Sequence, residues 1–200
     1  LNSALGGIDI ALWDIKGKLL GEPIWKLLGG PTRERLRVYT HFGGETPAET
    51  AARAKRLVTE GFRALKTAPR GPVEMVEGPR KIHEIVEHLK AAREAVGDDV
   101  DLMFDAHGDL YPSLSSAIAK EVEALHLLFL EEPTLPENPD VMKRIAEETT
   151  VPIATGERLF TIWGFREVFE KGIAEVIQPD MVHAGGISQL KKIAAMAEAY

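Results

Sequence analysis

From residue 36 onward, short runs of β-branched and apolar residues alternate with amphipathic stretches of helical period, and hairpin signals hardly occur between them. The runs predict strands near 36–41 (LRVYTH), 62–67 (FRALKT), 100–105 (VDLMFD), 126–131 (HLLFLE), 152–157 (PIATGE) and 175–178 (EVIQ). Helices are predicted near 47–59, 79–95, 113–124, 139–148, 161–171 and 187–199. Local signals mark two of their starts. Thr46-Pro47-Ala48-Glu49 reads as a capping box with proline at the first helical position, and Asn138-Pro139 repeats the cap followed by proline. Strands separated by helices rather than tight turns pair in parallel through βαβ crossovers. Two parallel architectures compete. An open doubly wound sheet carries a Gly-rich phosphate turn after its first strand, and Phe42-Gly43-Gly44-Glu45 is not GxGxxG. The expected fold class is therefore α/β, a TIM-type (β/α)8 barrel. A closed barrel needs eight units and about 250 residues, so the six units read here are expected to be a truncated one.

Residues 3–28 follow a different rule. Ile8, Leu12, Ile15 and Leu19 keep helical spacing, Pro23 starts a second short helix, and no strand intervenes, so this segment is expected to belong to a preceding helical region. The connection 68–79 is the longest irregular one. A net charge of −7 without a Lys/Arg stripe argues against nucleic acid as a partner. The longest apolar run, Leu127–Leu130, is far too short for a membrane span. With no cysteine, disulfides, zinc–thiolate sites and thiol nucleophiles are excluded. No signal peptide is read and a cytoplasmic location is expected. The chain opens on Leu1 and Asn2 rather than Met, which reads as a piece of something longer.

Asp105, Glu131 and Glu157 each end a predicted strand, at equal intervals close to the length of one βα unit. They are expected at the C-terminal ends of three consecutive strands, the face on which barrel enzymes keep their active sites. Two carboxylates about 4 Å apart repel by roughly 4 kcal/mol at an effective dielectric near 20. Three on one rim therefore need a cation, and an all-oxygen set without cysteine suits Mg²⁺.

Asp105-Ala106-His107, Glu131-Glu132-Pro133, Gly156-Glu157-Arg158 and Gln178-Pro179-Asp180 resemble the motifs of the enolase superfamily. Within it they resemble the mandelate racemase/muconate lactonizing enzyme branch, and most closely the galactonate dehydratase-like acid-sugar dehydratases. Ser3-Ala4-Leu5-Gly6-Gly7-Ile8-Asp9-Ile10-Ala11-Leu12-Trp13-Asp14 looks like the last long helix of that family's α+β capping domain, and His183-Ala184-Gly185-Gly186-Ile187 also fits. The resemblance implies capping-domain helices over 1–32 and a partial barrel over 33–200. It assigns Asp105, Glu131 and Glu157 as Mg²⁺ ligands, with Glu132 behind them. It further implies abstraction of the proton next to a carboxylate, with His107 as the general acid that protonates the departing hydroxyl. His107 stands two residues beyond Asp105, so both are expected on the same side of the strand end. Asp180 is implied to orient a histidine base on the next strand, which would begin just after Tyr200. Racemases and cycloisomerases of the superfamily carry Lys-x-Lys at the second strand; here Lys66-Thr67-Ala68 lacks the second lysine.

Several residues stay open on the sequence alone. Lys66 points inward and either binds the substrate carboxylate or pairs with a metal ligand. Arg158 either touches substrate or carboxylates, or serves a structural pair. His41 either lines the pocket or sits in a solvated loop. His83 and His88, on a helix with Glu84 and Glu87, read as surface residues, and His126 begins a strand at the end opposite the site. Trp13 and Trp25 read as packing residues, and Trp163 is left near the rim. The expected activity is Mg²⁺-dependent dehydration of a sugar acid to a 2-keto-3-deoxy acid. The rivals are a racemase or epimerase on a hydroxy acid, a catalytically incomplete fragment, and a metal-dependent aldolase. A small-molecule substrate and self-assembly into a homo-oligomer are expected.

Overall fold

A computed structural model describes residues 1–74 and 76–200; Met75, in the connection 68–79, lies outside the described residues. In chain order the elements are α1 (Asn2–Leu20), α2 (Ile24–Leu27), β1 (Thr40–His41), α3 (Pro47–Thr59), β2 (Ala64–Thr67), α4 (Pro79–Val96), β3 (Asp101–Asp105) and α5 (Pro112–Glu121). A 3₁₀ turn at Glu123–Leu125 leads into β4 (Phe129–Glu131), α6 (Pro139–Glu148), β5 (Ile153–Thr155), α7 (Thr161–Lys171), β6 (Val176–Ile177) and α8 (Ile187–Ala199). The strands form one sheet in sequential order, and the pairs from β1 to β5 are all parallel. A doubly wound sheet would reverse its order at a switch point. This one does not reverse, which is the order of consecutive barrel units.

The chain folds as two compact units. One comprises Val38–Thr155 and Gly172–Val176, the other Leu1–Arg37, Gly156–Lys171 and Ile177–Tyr200. In the first unit, helix starts follow the local signals. Thr46 accepts the Glu49 N–H at 3.2 Å, and Asn138 Oδ1 accepts the Val141 N–H at 3.4 Å. Each such cap is worth about 1 kcal/mol. The Glu49 carboxylate reaches back to the N–H of Glu45, one residue earlier than a standard capping box. Proline stands at the first position of α3, α4, α5 and α6, where the missing N–H costs nothing.

Both faces of the sheet are buried. Ala64, Met103, Phe129 and Ala154 cluster on one face with Val176 packed against them. The alternating residues Leu65, Leu102, Phe104, Leu130 and Ile153 are buried as well, as expected of a parallel strand covered on both sides. The first strand is shorter than expected, because pairing with β2 begins only at Thr40↔Leu65. His88 corrects another expectation. It is half-buried, and its Nδ1 lies 2.7 Å from Thr50 Oγ1 of α3, so the packing of α3 on α4 takes this histidine off the surface. His83 and His126 are exposed.

In the second unit, Phe165, Ala184 and Ile193 form the core, with Leu159, Ile162, Phe169 and Ile177 packed against it. Helix α1 ends in a left-handed Gly21 whose N–H returns to the Gly17 and Lys18 carbonyls. Trp13 donates its indole N–H to Ser188 Oγ at 2.9 Å. Trp25 does not pack as expected: it is exposed, with the Lys26 ammonium beside its ring, because α2 is a single turn without buried residues. Trp163 is exposed too. Among the described residues no helix is long and apolar enough to cross a membrane.

Candidate active site

Strand alternation puts Lys66, Asp105 and Glu131 two residues beyond Ala64, Met103 and Phe129, on the same face and at the C-terminal ends of β2, β3 and β4. Asp105 and Glu131 are register partners. Lys66 is the register partner of Met103, one layer lower. Its long stem therefore climbs to the two carboxylates above it. The ammonium Nζ lies 2.9 Å from Asp105 Oδ2 and 2.7 Å from Glu131 Oε2, and all three residues are at least 95% buried. Burial alone would lower the Lys66 pKa, but the hydrogen bonds and charges of Glu131 and Asp105 outweigh it, and the net shift is upward. In this structure Lys66 pairs with both carboxylates.

One residue that the sequence reading missed completes this arrangement. The Tyr39 ring centroid is 5.1 Å from Lys66 Nζ, a cation–π contact. His41 stands edge-on to Tyr39 at 5.9 Å and is itself exposed, so it meets the rim through Tyr39. The signal available in the sequence was the spacing of Tyr39 and His41, two apart at the first strand end.

His107 is reached differently from the way alternation implies. β3 ends at Asp105, and His107 lies past it with φ of 53°, a left-handed conformation uncommon for a non-glycine residue. The turn folds back on its own strand end. The His107 N–H donates to Asp105 Oδ1 at 3.0 Å, and Nε2 lies 3.4 Å from Asp105 Oδ2, with the side chain 44% exposed. Glu132 is also left-handed, with φ of 39°, and fully buried. The backbone ladder runs on beyond the strands here. Ala106 donates to the Glu131 carbonyl, Gly108 to that of Glu132, and Glu132 to that of Ala154, each at 2.9 Å. Positive φ in non-glycine residues costs roughly 1–3 kcal/mol and gathers at sites where position matters more than stability.

Glu157 is not a strand residue. β5 stops at Thr155, and Glu131 is opposite Ala154, so the equal sequence spacing does not carry into register. Gly156, with φ of 143° and no room for a Cβ beside the Gln178 backbone, starts the turn that holds Glu157. Glu157 and Asp180 belong to the second unit, whereas Lys66, Asp105, His107, Glu131 and Glu132 belong to the first. Arg158 Nε is 4.0 Å from Glu157 Oε1, in an exposed pair. Asp180 Oδ1 accepts the N–H groups of Val182 and His183, both at 2.8 Å.

Among the described residues no group of three or more His, Asp or Glu side chains is disposed to hold a metal ion. The first unit nevertheless suits a hard cation in kind. Two buried carboxylates facing one ammonium leave a net charge of −1, and Mg²⁺ is commonly held by one or two carboxylates with water completing its shell.

The family described as "Enolase C-terminal domain-like" matches residues 49–200. The chain belongs to the enolase superfamily. The superfamily's "Mandelate racemase / muconate lactonizing enzyme, N-terminal domain" matches residues 1–29. A D-galactonate dehydratase from Cronobacter sakazakii is 42% identical over 200 residues, which is all of this chain and 52% of that protein. The chain thus spans about half the length of this curated relative. A crystal structure of an enolase superfamily member from Salmonella Typhimurium superposes with a TM-score of 0.92 at 35% identity, covering 100% of this chain and 56% of that one. The 3,6-anhydro-D-galactonate cycloisomerase from Zobellia galactanivorans gives 0.89 at 34% identity, covering 100% and 54%.

Proposed function

We propose that this chain is part of a Mg²⁺-dependent acid-sugar dehydratase that removes water across C2–C3 of an aldonate to give a 2-keto-3-deoxy acid. The observation that carries the reading is the buried Lys66–Asp105–Glu131 cluster with His107 folded back against it. The whole-chain identity to D-galactonate dehydratases supports the substrate class. Residues 1–32 are read as the last helices of a capping domain and 33–200 as six units of the barrel.

Asp105 and Glu131 would hold the ion, and Glu132 backs them. When bound, Mg²⁺ supplies positive charge against the substrate carboxylate as the neighbouring proton leaves. Lys66 holds the two buried carboxylates in place through its two short ion pairs. Its ammonium is occupied by them, which leaves its role as a counter-ion rather than a base. The C2 proton goes to a histidine outside these residues, oriented by Asp180. His107 hands its proton to the C3 hydroxyl, which departs as water, and the enol left behind becomes the ketone. Its exposed imidazole can regain a proton from solvent. Arg158 and His41, both exposed, are read as contacts for the hydroxylated chain of the substrate.

The test is to incubate the full-length protein with a panel of aldonates and Mg²⁺ and to detect keto acid. A 2-keto-3-deoxy product supports the reading. An epimerised substrate without water loss would replace it with racemase chemistry, and a ring-opened or isomerised anhydro-sugar acid with that of the Zobellia relative.

A further inference from the structure

Helix α1 meets the turn that carries Asp180 through one of its faces. Ser3, Gly6, Asp9 and Trp13 recur at helical spacing, and each touches the segment 182–188. Ser3 Oγ lies 2.7 Å from His183 Nδ1. Asp9 Oδ2 accepts the Ser188 N–H at 3.0 Å, and Trp13 Nε1 donates to Ser188 Oγ at 2.9 Å. The glycines are fitted to the same contact. A Cβ on Gly6 would collide with the Val182 carbonyl oxygen, and one on Gly186 with the Asp9 carboxylate.

The turn itself is organised around Asp180. Its side chain takes the Val182 and His183 N–H groups, and its carbonyl takes the Ala184 N–H at 2.7 Å. Val182 and His183 are the residues that α1 touches from the other side through Gly6 and Ser3. Helix α8 follows at once, and the residue at its N-cap is Gly186, with φ of 90° and no side chain to cap with. Asp9 supplies that cap from another helix, with a negative charge at the positive end of α8.

We infer that α1 is a brace for the Asp180 carboxylate, and that Asp9 is a positioning residue for the reaction. This rests on the role given to Asp180 above. Without Asp9, the start of α8 loses its cap, the turn 180–186 loses its fixed end, and Asp180 no longer presents one orientation.

The test uses the full-length protein with Mg²⁺ and the variants Asp9→Ala, Asp9→Asn, Ser3→Ala and, as a control on the exposed side of α1, Asp14→Ala. Two quantities are read: hydrogen exchange at the Val182 and His183 amides, and kcat against KM for an accepted aldonate. Asp9→Ala should speed exchange at both amides and lower kcat by about 10- to 10²-fold, the order of a displaced supporting group, with KM within about twofold. Asp9→Asn should recover most of both, because its amide oxygen can still accept the Ser188 N–H. Ser3→Ala should act in the same direction more weakly, and it serves if Asp9→Ala fails to fold. Asp14→Ala should change neither. Unchanged amide exchange in Asp9→Ala and Ser3→Ala would overturn the brace, as would equal effects in Asp14→Ala. Faster exchange with unchanged kcat would overturn the positioning role. A protein that dehydrates no aldonate refutes the proposed function instead, and the amide exchange still decides the brace.

Discussion

Replacing Lys66 by Met keeps the length of the side chain and removes the one positive charge between two buried carboxylates. Asp105 and Glu131 are register partners, each 2% exposed, and Lys66 Nζ is within 2.9 Å of both. Removing one partner of a buried ion pair costs about 3–5 kcal/mol, because the charge left behind has lost both water and counter-ion. Here two such charges are left, so the upper half of that range applies. With a urea m-value of about 3 kcal/mol/M, the unfolding midpoint of the full-length protein without divalent ions should drop by about 1 M or more. Mg²⁺ should then recover part of the loss. A ligand at a hundred times its Kd adds about 2.7 kcal/mol, and the variant should gain more from Mg²⁺ than the wild type does. Adding Glu131→Gln to Lys66→Met should also soften the loss, since it removes the repulsion. A Lys66→Met midpoint within a few tenths molar of wild type would refute the reasoning and return Lys66 to the role of a substrate contact.

Two further outcomes follow from the same structure. Glu131→Gln keeps shape but removes one of the anionic oxygens, so titration calorimetry should show Mg²⁺ affinity lost or severely weakened; unchanged affinity would remove Glu131 from the metal site. The His88 pKa is lowered by burial first and by the Arg70 charge second, against the opposing pull of Glu84 and Glu45. A depressed histidine pKa means that the folded state favours the neutral ring. The stability it contributes is present above the unfolded pKa of about 6.5 and is lost as pH falls through the folded value. Urea midpoints at about pH 7.5 and about pH 5 should therefore differ less in His88→Asn than in wild type, and an identical difference would contradict this.

What could be read from the sequence was whatever depends on local spacing. Thr46-Pro47 and Asn138-Pro139 start their helices where the capping rules put them, because caps are made by residues three apart. The Asp105–Glu131 pairing was legible as well, since one βα unit returns the chain to the same register. The same reasoning failed one unit later. Glu131 pairs with Ala154, and the Gly156 turn carries Glu157 past the strand end. Period-two alternation likewise stopped at Asp105, so the left-handed turn that brings His107 back could not be inferred from it. Contacts that depend on reach across the fold were harder to read: the pairing of Lys66 was one of two alternatives, and the Tyr39 ring beside it and the Thr50 hydroxyl that half-buries His88 went unread.

The division of roles at the β3 rim is tested most directly by proton NMR of an accepted aldonate in D₂O with Mg²⁺, comparing wild-type full-length protein with His107→Asn. Asparagine keeps size and hydrogen bonding but has no proton to transfer, and loss of a general acid costs about 10²–10⁴ in rate, or roughly 3–5 kcal/mol of transition-state stabilisation. In the proposed mechanism, proton abstraction uses the carboxylate cluster and a base oriented by Asp180, which the substitution leaves in place. His107→Asn should therefore stop formation of the keto acid while still exchanging the C2 proton for deuterium. If exchange and dehydration vanish together in a variant that still binds Mg²⁺ and substrate, His107 is the base, or acid and base in one, and the assignment is wrong.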